Sequence, residues 1–444
     1  MNSIMHIGFD DTDSLRMGCT TYIAALLVEK LEKVGLKFID YPNLVRLNPN
    51  IPWKTRGNGA ICLRVSGDAP ALDEARELVL DQVERWSDLD FPGTDPGVVF
   101  FCGTEPPIEF REFAKRTLRD VVTKGEALRL VRRFRAEAIG FKGGRGVIGG
   151  LAAIGETLSE DHTYELLTYR RPENRGKDRK VDVKSVSRME RETSPFTFSN
   201  IDPETGRVLI TPRGPDPVLY GVRGESAQVV RAAMGMIDVG EDVERWVIFR
   251  TNHGTDAHLR PVRSISEVKA YRPVIVRGDV TEKPWTGIGG HVYFAIHDSS
   301  GKVNCAAYEP TGSFRSVVKD LIEGDSVEVY GGVRPPSSKH SMTVNLEKIR
   351  ILGLAPQVTY QNPRCSVCGR SMKSMGRGKG FRCERCKIKR RSPDRIPILF
   401  PRVVSTGLYI PPPRAHRHLT KPMVRYGQEK TGCPKGMIDG WHSP

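Results

Sequence analysis

Residues 8–30, GFDDTDSLRMGCTTYIAALLVEK, place three aspartates, Asp10, Asp11 and Asp13, within four positions. The apolar run IMHIGFD leading into them reads as a buried strand. After them, CTTYIAALLVEKLEKVG carries Ile23, Leu26, Leu27 and Leu31 at helical spacing, with Gly35 as a C-terminal stop. Strand, acidic turn and helix together open a mixed α/β domain. Like charges crowded at a strand end repel unless a cation neutralises them, and Mg²⁺ held by one or two carboxylates plus phosphate oxygens does so directly. Asp-Asp-Thr-Asp-Ser is also good composition for a solvated turn or a helix N-cap, so this stretch alone leaves both readings open.

Outward from it, KFIDYPNLVRL and GAICLRVSG read as strands, ALDEARELVLDQVERW as a helix, VVFFCG as a buried strand and LRDVVTKGEALRLVRRF as one more helix. These fill a first domain over 1–158. The pattern then changes. TYELLTYR, TFSNID, RVLITPRG, a helix at SAQVVRAAMGMI and a last strand ERWVIFRTN suggest a split β-α-β, ferredoxin-like domain over 159–264, with DPETGRV as a hairpin turn. Over 265–355, five short strands with the helix FRSVVKDLI between the third and fourth give the order of an OB-fold barrel. A zinc ribbon and a Pro-rich basic tail occupy 356–444. The fold class is multidomain α+β, and no internal sequence repeat is found.

Length and composition fit this organisation. The 444 residues are enough for two to four domains, with 39% hydrophobic and 27% charged residues. No apolar run is long enough to span a membrane and the start lacks a signal-peptide pattern, so a cytoplasmic protein with no membrane partner is expected. Lys plus Arg exceed Asp plus Glu by 68 to 53, a net charge of +15, with the excess concentrated between Asn362 and Arg402. Without a basic amphipathic helix, that charge points to nucleic acid rather than to a membrane.

The cysteines sharpen the reading. Four of nine form Cys365-x-x-Cys368 and Cys383-x-x-Cys386, separated by 14 residues. Two such knuckles bring four thiolates to tetrahedral distance from a structural Zn²⁺, with no position left open for catalysis. Lys373, Arg377, Lys379, Arg382, Arg385 and Lys387 on its loops suit phosphates. On the barrel, Tyr293, Phe294 and Tyr308 are candidates for base stacking, though each is better explained as core. Two loops combine glycine with cations: GFKGGRGVIGG at 140–150, with Lys142 and Arg145, and IPWKTRGNGA, with Lys54, Arg56 and Asn58. Glycines leave backbone N–H groups free to approach an anion, and with the acidic cluster the two loops make up a nucleotide triphosphate site.

FDDTDS followed by CTTY, then RLNPNIPWKTRGNGA, FPGTDPGVV, GGRGVIGGLAAIG and PPPRAHRHLTKP resemble, in this order, the archaeal tRNA(isoleucine) 2-agmatinylcytidine synthetase (TiaS) family. The resemblance covers essentially the whole chain. It implies a kinase-like catalytic domain over 1–158 and an ATP-dependent ligase. The enzyme attaches agmatine to C2 of the wobble cytidine of the minor isoleucine tRNA, whose anticodon is CAU, and so changes decoding from AUG to AUA. The base is phosphorylated at its C2 oxygen, the agmatine amine then displaces the phosphate, and AMP is released. By the same resemblance Thr20 is phosphorylated by the enzyme itself, and Asp10, Asp11, Asp13 and Thr20 are catalytic. ATP and phosphate contacts are expected from Thr12, Ser14, Lys54, Arg56, Asn58, Lys142, Gly143, Gly144, Arg145 and Gly146, with ATP, Mg²⁺ and structural Zn²⁺ as cofactors. Asp95, in FPGTDPGVV, is the candidate for agmatine. The alternatives are a non-catalytic tRNA-binding OB and zinc-ribbon protein, or an RNA kinase or ligase using a different amine.

Overall fold

The apolar opening run forms β1 (Ser3–Asp10), and the spaced apolar residues beyond the acidic turn form α1 (Thr20–Lys33). The computed structural model describes residues 2–338, 340–391, 395–434 and 436–443. Asp11, directly after β1, has a left-handed backbone with φ of 63°, which Asp tolerates better than bulkier residues. KFIDYPNLVRL divides into β2 (Lys37–Phe38) and β3 (Asn43–Arg46) on either side of Pro42, which has no N–H to donate to a ladder. β4 (Gly59–Gly67), α2 (Ala69–Trp86) and β5 (Gly97–Cys102) follow as the pattern predicts. Leu118 and Arg119 close α3 (Ile108–Arg119), a helix not expected from the sequence. Of the helix expected at 118–134 only α4 (Lys124–Arg133) forms, started by the capping box of Thr123 and Glu126. β6 (Glu137–Gly140) and the fully apolar α5 (Val147–Gly155) complete this unit.

Its strands run β5-β1-β4-β3, all antiparallel, with β6 on the β5 edge and β2 beside β4. That is the split β-α-β-β-α-β order. The second unit has the same order with one strand reduced. It contains β7 (Thr163–Arg170), α6 (Val183–Thr193), β8 (Val218–Gly224), α7 (Ala227–Met234) and β9 (Val243–Thr251), ordered β9-β7-β8. TFSNID and RVLITPRG are not strands. They make isolated bridges only, Thr197 to Gly224 and Ile201 to Val208, the latter closing the turn at Asp202. Pro212, Pro215 and Pro217 keep the following stretch out of the ladder. β3 pairs in parallel with β9, Asn43 opposite Arg250, so the two units share one nine-stranded sheet.

After the short β10 (Arg260–Pro261) comes the barrel: β11 (Pro273–Val280), β12 (Trp285–Thr286), β13 (Val292–Asp298), β14 (Gly301–Ala307), α8 (Phe314–Lys319), β15 (Ser326–Arg334) and β16 (Thr343–Gly353). β11 pairs with both β13 and β15, and β14 lies parallel to β16, which closes the barrel in OB order. β17 (Gln357–Gln361) leaves the barrel, and the ribbon carries β18 (Lys373–Ser374), β19 (Phe381–Arg382) and β20 (Lys389–Arg390). β21 (Ile396–Phe400) returns along β17, so the ribbon hangs on a two-stranded stalk.

The tail does not stay with the ribbon. β22 (Gly407–Tyr409) pairs with β16, and the chain then runs back to the nine-stranded sheet. Arg425 is buried between Asp161 and Glu225, and Trp441 packs against Phe38 and Tyr41 with ring centroids 5.4 and 6.0 Å apart. Among the described residues no helix is long and apolar enough to cross a membrane.

Candidate active site

A cavity of about 600 Å³ lies where the first unit, the second unit and the tail meet, with Asp10, Asp11 and Asp13 at one end. The three aspartates differ in their partners. Arg56 Nε donates to Asp13 at 2.7 Å, and Arg145 Nη2 donates to Asp11 at 2.7 Å. No cation is paired with Asp10 among the described residues. Burial first, then Asp11 and Asp13, push the Asp10 carboxyl up to about 8. Burial raises Asp11 to about 6, with Arg145 holding it lower than it would otherwise stand. The start of α5 lies against Asp10: a Cβ on Gly149 would collide with its carboxylate, so glycine is required there. Thr20, the first residue of α1, also faces the cavity.

The structure separates the remaining expected residues by role. Lys54, Arg56, Asn58 and Arg145 line the cavity. Asn58 mainly holds its own loop, donating to the Asn48 carbonyl at 2.7 Å. Thr12 and Ser14 are buried behind the acidic turn. The Thr12 hydroxyl lies 2.9 Å from that of Thr20, and Ser14 donates to Asp88 at 2.6 Å. Lys142 points away, onto the Phe91 carbonyl at 2.9 Å, and Gly143, Gly144 and Gly146 do not reach the cavity wall. Asp95 also lies outside it, accepting from the Gly143 N–H at 3.0 Å, with Arg145 Nη1 3.8 Å away. The glycine loop thus serves chiefly to aim Arg145.

Several wall residues escape sequence reasoning. Glu165 of β7, 1% exposed, pairs with Arg223 at 2.9 Å, with Arg46 at 3.4 Å and with the His253 ring at 3.4 Å. Burial alone would raise Glu165, but Arg223, His253 and Arg46 hold it well below the usual carboxylate range. The same cations act on the imidazoles. Arg46 and burial keep His418 well below its ordinary value, and burial, helped by Arg223 and Arg46, lowers His253 to about 4. His418 comes from the tail and packs edge-on to His253 at 5.2 Å. Asp216, beside Arg56 at 3.3 Å, is raised by burial against the pull of Arg56 and Arg179. An acid inside the apolar strand TYELLTYR was the one available signal, since a buried carboxylate needs partners. The cavity is therefore bipolar, acidic at the β1 end and cationic around Glu165.

The second centre is the ribbon. The ligand atoms of Cys365, Cys368, Cys383 and Cys386 all lie within 4.8 Å of one another, and they form the only such group of three or more among the described residues. Four converging thiols on a small core of Met372 and Phe381 fit a closed, structural Zn²⁺. The aspartates form no such cage. They fit Mg²⁺ held by one or two carboxylates and completed by phosphate oxygens. On the barrel, Phe294 belongs to the core, while Tyr293 stacks on the exposed Trp285 at 4.7 Å and Tyr308 donates to Asn345 at 3.1 Å.

Profiles of known families match along the chain: the TiaS TCKD domain over residues 6–143, the TiaS FLD domain over 144–258, an OB-fold nucleic acid binding domain over 274–352 and the TiaS C-terminal zinc ribbon domain over 362–404. The 2-agmatinylcytidine synthetase TiaS of Pyrococcus horikoshii is 44% identical over 95% of this chain and 97% of its own. The chain belongs to the TiaS family. The TiaS of Archaeoglobus fulgidus is 42% identical over 95% of this chain and 98% of its own. A TiaS crystallised with its isoleucine tRNA and ATP superposes with a TM-score of 0.87 at 41% identity, covering 98% of this chain and 99% of that one. A TiaS complex with tRNA, an ATP analogue and agmatine gives 0.84 at 39% identity, over 95% and 97% of the two chains.

Proposed function

We propose that this protein attaches agmatine to C2 of the wobble cytidine of the minor isoleucine tRNA, consuming ATP and releasing AMP. The observation that carries this reading is the bipolar cavity, with Asp10 unneutralised at its acidic end beside Thr20 and Arg145. A cytosine C2 oxygen is a poor leaving group, so it is first phosphorylated by one phosphoryl group of ATP. Water cleaves the other phosphoanhydride bond, so that the nucleotide leaves as AMP with a second phosphate. The amine nitrogen of agmatine then bonds to C2 as the C2–O bond breaks, and the oxygen leaves with phosphate. Arg145 and Arg56, fixed by Asp11 and Asp13, offset charge on the transferring phosphoryl group. Asp10, with one of its neighbours, is the residue to hold Mg²⁺, which when bound neutralises phosphate charge. Thr20, at the start of α1, is positioned to accept a phosphoryl group where the helix end favours negative charge.

Agmatine is a dication, and the guanidiniums around Glu165 repel it. Its place is the acidic end, where Asp13 and Asp216 share Arg56 and supply carboxylates from both units. The target base must leave its stack to enter the cavity. The barrel and ribbon engage the tRNA through backbone and shape, and the reaction belongs to the cytoplasm with its tRNA. The test is incorporation of labelled agmatine into a CAU-anticodon transcript, with AMP formed in equal amount and no incorporation into a transcript of another anticodon. Incorporation of a different amine in preference to agmatine overturns the substrate; tRNA binding with no AMP formed overturns the reaction.

A further inference from the structure

At the mouth of the cavity the loop after β3 leaves Trp53 55% exposed, next to Lys54. The loop itself is firmly held. Asn48 donates to the Tyr271 carbonyl at 3.0 Å, and Asn50 takes a hydrogen bond from Arg417 of the tail. Asn50 also lies so close to β15 that a Cβ on Gly332 would collide with it. Despite these anchors, the indole makes only a tilted contact with Tyr271, at 6.4 Å between centroids. A large aromatic held in place at a cavity mouth offers its face as a stacking platform for a base.

The charge beside it is equally unsatisfied. Lys54 has no carboxylate partner among the described residues, and its sole hydrogen bond is to the Arg56 carbonyl at 3.4 Å. Partial burial and the nearby Arg417 lower its pKa, so the pocket mouth disfavours a cation yet holds two. Arg207 and Arg213, also on the wall, have no ion pair among the described residues. Among the described residues, Lys54 beside the exposed ring has no carboxylate, and Arg417 reaches only that of Glu347, at 3.8 Å. Ring and cations together suit one ligand chemistry, a nucleotide whose base stacks and whose phosphate is anionic.

We propose that Trp53 stacks a base of the tRNA anticodon loop adjacent to the extruded cytidine, while Lys54 and Arg417 hold the backbone phosphate of that nucleotide. The site deepens the reaction assigned above and rests on it. It makes Trp53 a positioning residue, and it explains why the tail returns to the cavity: Arg417 completes the phosphate cradle from a segment far away in sequence. ATP phosphates are the other possible anion, and the acidic end with Arg56 and Arg145 already provides for them.

The experiment measures binding of a labelled CAU-anticodon tRNA to the full-length protein without ATP, alongside KM values for tRNA and ATP. Trp53→Ala weakens tRNA binding about tenfold or more, Trp53→Phe retains most of it, and the thermal midpoint is unchanged. Lys54→Met weakens binding and reduces the salt dependence of log Kd by about one. KM for ATP stays within about twofold in Trp53→Ala. An unchanged tRNA Kd in Trp53→Ala overturns the proposal, as does a Lys54→Met effect confined to KM for ATP. A wild-type protein that binds tRNA but incorporates no agmatine refutes the reaction, not this contact.

Discussion

The two units of the nine-stranded sheet share a strand order, and each places a charged residue at the last position of its first strand: Asp10 on β1 and Arg170 on β7. Their surroundings are opposite. Arg170, with its side chain 2% exposed, meets Glu241 at 2.8 Å and donates to the carbonyls of Lys177 and Asp178 at 2.7 and 3.1 Å. Asp10 has no cation paired with it among the described residues, and burial with Asp11 and Asp13 outweighs the pull of the Asp11 N–H and Arg145, so its carboxyl rises to about 8. One unit satisfies its buried charge completely and is scaffold. The other leaves it unsatisfied, a state that persists only where a ligand relieves it.

The largest break in this contrast comes from Asp10→Asn. Turnover falls on the order of 10³-fold or more, while tRNA Kd changes by less than about threefold, measured with labelled agmatine and by tRNA binding. Lost binding instead would make the turn structural. Glu241→Ala, which removes the partner of Arg170 at the matching position in the second unit, costs stability, about 3–5 kcal/mol in denaturant unfolding, because Arg170 stays buried without it. Its folded fraction keeps normal KM values.

A subtler asymmetry follows from linkage. Asp10 has its folded pKa raised, so its contribution to stability is present below about pH 4 and is lost as pH rises through about 8. Metal-free protein at pH 8 is therefore stabilised by Asp10→Asn by roughly 1–2 kcal/mol. Adding Mg²⁺ with ATP raises the wild-type thermal midpoint and narrows that gap. Arg145→Gln lowers kcat at every pH, because the guanidinium also offsets phosphoryl charge. The smallest effect is read on top of that loss: without the cation that holds Asp11 down, the acid limb of the pH–rate profile moves above its position near pH 6.

Local order carried most of the fold into view. The OB barrel was readable because period-2 strands, glycine turns and one helix in the right slot are local features. The four ribbon cysteines were readable because zinc fixes their spacing. The start of α4 at Thr123 is not legible in the sequence because apolar periodicity continues across its capping box, and α3 before it is not read as a helix at all. The strands expected at TFSNID and RVLITPRG failed because their residues have strand composition, while Asp202 and three prolines impose turns. For the site, Asp10, Asp11, Asp13, Thr20, Arg56 and Arg145 were legible as a cluster beside glycine loops. Lys142 is expected there as a cation of the glycine loop and Asp95 as an acid of FPGTDPGVV, but residue type does not say which way a loop residue points.

The sequence by itself determined the four building blocks, the acidic turn and the zinc knuckles, since each depends on residues within one short segment. Only the tertiary structure decided that two units of the same strand order join edge to edge and that Glu165 sits among Arg46, Arg223 and His253. It also decided that the tail crosses back so that Arg417 and His418 complete the cavity wall. The physical reason is range. Hydrogen-bond ladders and metal spacing act between near neighbours, whereas pairing of β3 with β9 and burial of Trp441 depend on surfaces that exist only after the separate pieces have folded.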